Sequence, residues 1–166
     1  SNRFPNGLGN DSDELGHNIM DHHFQIGANA NYEGFEDKYY TGRRPNGIYI
    51  PRFQNIGGKT NRKDFLRGYG YQGGASRTDW TKYVKEASYG EKLKQAIIKP
   101  GKWKMGLNGF GEVLPYHDNK IFLDYDKTDK WGLPTVTFDA KIRENELSMR
   151  KDMQLQAMEM LDNAGF

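Results

Sequence analysis

Lys102-Trp103-Lys104-Met105-Gly106-Leu107-Asn108-Gly109-Phe110-Gly111 runs straight into Glu112-Val113-Leu114-Pro115 and, after the polar step His117-Asp118-Asn119, into Ile121-Phe122-Leu123-Asp124-Tyr125. Trp103, Met105 and Leu107 share one face of the first run, and Ile121, Leu123 and Tyr125 share one face of the second. A period of two is the signature of a half-buried strand. The portion Gly111–Asp126 reads as a hairpin turning at residues 117–119, so the pairing is expected to be antiparallel.

The same alternation extends outward in both directions. From His22 onward, Phe24, Ile26, Ala28 and Ala30 fall on one face, with His23, Gln25, Gly27 and Asn29 on the other. Further strands are expected at Gly47–Phe53, at Phe65–Gln72 with Phe65, Arg67, Tyr69 and Tyr71 sharing a face, and at Pro134–Ala140 with Val136, Phe138 and Ala140 aligned. The last of these leads into a long helical pattern at Glu144–Asn163. There Met149, Met153, Ala157, Met160 and Ala164 recur at spacings of three and four, and Arg150, Lys151, Asp152 and Glu159 occupy the remaining surface. Methionines at that spacing read as core fillers. A shorter helix is expected over Gly90–Ile98, with Leu93, Ile97 and Ile98 inward. Residues 1–21, rich in Gly, Asn and Asp, read as a connecting loop with one helical turn at Ser12–Ile19, capped by Ser12. The expected class is α+β: one domain over residues 1–166, a mostly antiparallel sheet of about six strands with helices packed on one face.

Composition bounds the function. With 166 residues the chain is long enough to bury a core, and nine Phe, ten Tyr and three Trp argue against disorder. Lys and Arg number 24 against 22 Asp and Glu, with the signs interspersed. No basic field for nucleic acid results, and the cluster Lys59, Arg62, Lys63 and Arg67 is diluted by Asp64. The absence of Cys removes disulfides, thiolate metal sites and a cysteine nucleophile. No run reaches the length of a membrane span, and the compartment stays open between cytoplasm and periplasm.

Motifs for chemistry are sparse. Gly68-Tyr69-Gly70-Tyr71-Gln72-Gly73 has the GxGxxG spacing, but Gly74-Ala75-Ser76-Arg77-Thr78-Asp79-Trp80 follows without the helical repeat that a phosphate-cradling turn requires. His22 and His23 would point to opposite faces of a strand, which does not build a metal site with His17. Asp124, Asp126, Thr128 and Asp129 lack the central glycine and the closing acid of a calcium loop. No GxSxG elbow is present. No residue of the chain is assigned a catalytic role, and no metal is expected.

Three stretches resemble the glucose–methanol–choline (GMC) flavin oxidoreductases, in particular the bacterial branch acting on sugars and sugar acids. Gly7-Leu8-Gly9-Asn10 through Leu15-Gly16-His17-Asn18-Ile19-Met20-Asp21-His22-His23 is similar to the family segment L-x-N-S … L-G-x-x-x-M-D-H. Gly111-Glu112-Val113-Leu114-Pro115 with Asn119-Lys120-Ile121-Phe122-Leu123-Asp124 resembles E-x-L-P-x-x-x-N-x-V-x-L-D. Asp129-Lys130-Trp131-Gly132-Leu133-Pro134 resembles D-x-W-G-L-P.

The resemblance implies the substrate-side part of an FAD-dependent enzyme that oxidises CH–OH groups of a sugar, sugar acid or polyol. The family's GxGxxG unit would precede Ser1 and its catalytic His would follow Phe166, so the chain is expected to hold no FAD and to be inactive alone. Its partners would then be the FAD-binding domain of the same parent chain and a small alcohol or sugar. By the same resemblance Asp21, His22 and His23 would lie near the flavin, while Gln25, Asn29, Arg67 and Gln72 would meet substrate hydroxyls. A non-enzymatic carbohydrate-binding module or an interaction domain is the alternative, because a face rich in Tyr, Trp, Asn, Gln and Arg suits sugar rings in either setting.

Overall fold

A computed structural model describes residues 3–38, 47–77, 89–98 and 101–166. The order of elements is β1 (His22–Tyr32), β2 (Gly47–Pro51), β3 (Tyr69–Arg77), α1 (Glu91–Ile98), β4 (Trp103–Glu112), β5 (Lys120–Thr128), β6 (Pro134–Asp139) and α2 (Glu144–Asn163). All pairings are antiparallel and the class is α+β, as the alternation predicts. The strands divide into a four-stranded sheet of order β1-β4-β3-β2 and a separate β5-β6 ribbon.

That division corrects the expected hairpin over Gly111–Asp126, since β5 pairs with β6 and not with β4. The backbone beyond Glu112 is engaged elsewhere. The Val113 N–H donates to the Asp21 carbonyl at 2.9 Å, the Leu114 N–H donates to the Glu146 carboxylate at 3.0 Å, and Pro115 has no N–H. Asn119, fully buried, then ties the start of β5 to Lys141, accepting its N–H at 3.0 Å and donating to its carbonyl at 3.2 Å. The loop before β1 follows the same path: the Ile121 N–H donates to Gly16 and the Ile19 N–H to Asn119. Residues Ser12–Ile19 form turns and bends rather than a helical turn.

The long helix lies across β1 and β4. Its buried stripe is Glu146, Met149, Met153, Ala157 and Leu161, with Asp152 alongside. Met160 is half-buried and Ala164 exposed, so the stripe continues from Ala157 by four residues instead of three. Facing it are Tyr69, Tyr71 and Leu107 in the core, with Ile26, Ala28, Ala30 and Met105 packed around them. The helix approaches closely because Gly111 presents no side chain: a Cβ there would lie 2.7 Å from Met149 Sδ and 2.7 Å from Met153 Cε. Two tyrosines fasten the helix, Tyr71 donating to the Met153 carbonyl and Tyr69 to the Asp152 carboxylate, each at 2.6 Å. Asp152 also receives Gln54 at 3.0 Å and pairs with Arg62 at 3.1 Å, which pins residues 52–68 to the same helix.

Three facings expected from the sequence change. Arg67 does not share the face of Tyr69 and Tyr71: it precedes the strand, is exposed and has φ 68°. Ile98 is exposed. His23 turns inward, because β1 carries a bulge in which Phe24 and Gln25 together oppose Phe110, so that His23 and Ile26 face the helix together. Gln25 has φ 65°. The inward positions of the Phe24 and Ile97 side chains, and the segment Thr78–Trp80, lie outside the described residues.

Candidate functional site

The helix covers one face of the four-stranded sheet, and among the described residues no element packs across the other. In an antiparallel ladder, residues directly opposite one another share a face. Three rows therefore cross the open face: Gly27, Asn108, Gln72 and Tyr49; Asn29, Gly106, Gly74 and Gly47; and Asn31, Lys104 and Ser76. The floor of the middle row is glycine. A Cβ on Gly106 would lie 2.5 Å from Asn29 Oδ1, so the Asn29 amide rests across bare backbone. Glycine inside a strand weakens the sheet and marks a place where another group comes close to the backbone.

This face holds a shallow groove of about 440 Å³, lined by Asn29, Gln72, Ser76, Lys104, Asn108 and Phe110 above the floor glycines. Among the described residues the side chains of Asn29, Gln72, Ser76, Lys104 and Asn108 make no hydrogen bond or ion pair within the chain. Three amides, a hydroxyl and an ammonium thus stand together with unused donors and acceptors. Among the described residues no acidic side chain lines the groove.

Of the four residues expected to meet substrate, Asn29 and Gln72 come together in this groove. Gln25 lies in the bulge and Arg67 before the start of β3, and neither lines it. Asn108, Ser76 and Lys104 were not singled out from the sequence. They are the out-of-phase partners of Met105, Leu107 and Ala75, so the alternation that found the core also contained them.

Asp21 and His22 line a smaller recess of about 170 Å³ with Met20 and Glu112. The Asp21 carboxylate accepts the His22 N–H at 2.7 Å, and His22 lies 3.8 Å from Glu112 with both side chains largely exposed. His23 is separated from that recess, buried to 2% exposure between the sheet and α2. The Gly68–Gly73 run enters β3 rather than opening a helix, so it forms no pyrophosphate cradle. Among the described residues no group of three or more potential metal ligands assembles, and no helix is long and apolar enough to cross a membrane.

Comparison with protein-family models and with curated proteins finds no match for the chain.

The buried His23 carries a pH consequence. Neither ring nitrogen has a hydrogen-bond partner. Burial, and after it the positive charge of Arg150, push its pKa below the ordinary 6.5, with Glu146 opposing. An unfolded chain therefore takes up a proton near pH 6.5 that the folded chain resists, and stability falls as the pH drops through that range. Glu146 adds a second loss at lower pH. Burial alone would raise its carboxyl, but N–H groups of Leu114 and Arg143 and the Asn145 amide outweigh that and hold it below 4.5. Its contribution is present above the unfolded value and disappears as the pH falls through the folded one. Urea midpoints are expected to decline between about pH 7.5 and pH 5, and His23→Leu should flatten that decline while leaving the steeper one below it.

Proposed function

We propose that this chain is the substrate-contacting domain of an FAD-dependent oxidoreductase of the glucose–methanol–choline type, acting on a CH–OH group of a sugar, sugar acid or polyol. The observation that carries the reading is the open sheet face: a glycine floor bordered by Asn29, Gln72, Asn108 and Ser76, none of them hydrogen-bonded within the chain. A hydroxylated ligand lying flat on such a floor exchanges hydration for several directional bonds at once. The three stretches similar to the family support the same reading.

In this assignment the chain binds and orients. FAD and the base that takes the alcohol proton belong to other parts of the parent enzyme. The groove residues would fix which carbon of the ligand faces outward from the sheet, which is where a second domain closes over it.

Two measurements test this. The reading frame that encodes residues 1–166, translated outward in both directions, is expected to specify a glycine-rich βαβ unit before Ser1 and a histidine-bearing segment after Phe166; a frame closed at both borders overturns the enzyme reading in favour of a carbohydrate-binding module. The 166-residue chain should also bind glucitol with a Kd on the order of millimolar, seen as amide resonance shifts along β1, β3 and β4. Asn108→Ala and Gln72→Ala should each weaken that binding about tenfold. Shifts confined to the helix-covered face, or none, would rule the groove out.

A further inference from the structure

Resting on the groove as the polyol site, the geometry points to Lys104 as the residue that selects its ligand: a polyol carrying one carboxylate over a neutral one. Lys104 belongs to β4, which has a neighbour on either side, so it rises from the middle of the sheet and not from an edge where a lysine would serve to block strand pairing. Its cross-strand neighbours are Asn31 and Ser76, both uncharged. Lys102, just before β4, pairs with Glu33, whereas Lys104 has no carboxylate partner among the described residues. Among the described residues the groove therefore holds one positive charge and no negative one.

The number and kind of donors limit the anion. A phosphate dianion is normally met by several cations or by backbone N–H groups gathered at a turn or helix start. Here the floor is regular ladder, its N–H groups engaged between strands. One ammonium beside three amides and a hydroxyl matches a single carboxylate followed by hydroxyl-bearing carbons. Placed at Lys104, the carboxylate would set the ligand's direction along the rows, its hydroxyls passing Gly106 toward Asn108 and Gln72.

The test compares matched six-carbon probes on the 166-residue chain: gluconate, glucitol and glucose 6-phosphate, titrated by amide resonance shifts at low ionic strength. Gluconate is expected to bind about tenfold more tightly than glucitol, as a charge-assisted contact supplies. Lys104→Gln should remove that preference, weakening gluconate about tenfold more than glucitol, and Lys104→Arg should retain it. Equal affinities for gluconate and glucitol, with Lys104→Gln silent, overturn the role of Lys104 and leave the polyol groove standing. Preference for glucose 6-phosphate over gluconate overturns the assignment of a single carboxylate. Absence of shifts on the open face with all three probes overturns both this inference and the function it rests on.

Discussion

Glu146→Ala is expected to lower the stability of the chain by about 2–5 kcal/mol, as several donors lose one shared buried acceptor. The carboxylate is completely buried and gathers four groups from three directions. It accepts the Leu114 N–H and the Arg143 N–H at 3.0 Å each, the Asn145 amide at 3.2 Å and the Tyr116 hydroxyl at 3.3 Å. Truncation leaves the part-buried backbone donors of Leu114 and Arg143 without partners, each at a penalty of up to about 3 kcal/mol. The same side chain accepts from the residue that starts α2, so the helix also loses its entry lock. Glu146→Gln, which keeps one acceptor oxygen and the volume, should cost about 1–3 kcal/mol. Urea unfolding at neutral pH distinguishes the two; equal and small effects would mean that the segment 113–116 is held by something other than this carboxylate.

Met153→Ala is expected to cost about 2–5 kcal/mol. Met153 is wholly buried and stands over the two glycines of β4, where Cβ atoms at Gly109 and Gly111 would meet it at 3.0 Å and 2.7 Å. The space left by truncation is bounded by bare backbone, which has no side chain to fall inward, so the cavity persists. Gly111→Ala attacks the same joint from the opposite side. Its new methyl would meet His23 Nε2 at 2.6 Å as well as both methionines, and overpacking of that kind costs about 1–3 kcal/mol. Because the two positions touch, the double variant should be destabilised by less than the sum of the single ones. Strict additivity in a thermal or urea series would show that the helix does not rest on these glycines.

Local chemistry made much of this fold legible. The helix Glu144–Asn163 was readable because its apolar stripe at spacings of three and four is a local signal, and β2, β4 and β6 follow from alternation to within one or two residues. What alternation does not reveal is the partner of a strand. Residues 111–126 carry every short-range sign of a hairpin, yet Asn119 and Glu146 take the backbone of the connection to distant parts of the chain. His23 was unreadable for a related reason: the bulge at Phe24–Gln25 reverses the phase of β1 without any glycine to announce it. At the site, Asn29 and Gln72 were found as polar residues on strands, whereas Asn108, Ser76 and Lys104 emerge only when the register sets three strands side by side.

The unpaired ribbon and its surroundings expose Leu15, Phe122, Tyr125, Trp131, Leu133, Val136 and Phe138. Scattered apolar residues need no explanation, but Leu15, Phe122, Leu123, Tyr125 and Val136 line one recess, a surface suited to further contacts.

The bulge in β1 also bears on how this strand can change length. Losing Gln25 would restore simple one-to-one matching with β4 and keep His23 and Ile26 looking inward, so neither half of the strand would roll over. Losing a residue near Asn29 instead would invert everything on one side of the cut, bringing amides into the core and alanines into the groove. The kink is thus a slack joint, the one stretch of β1 where a codon can disappear without exchanging the inside of the protein for its outside.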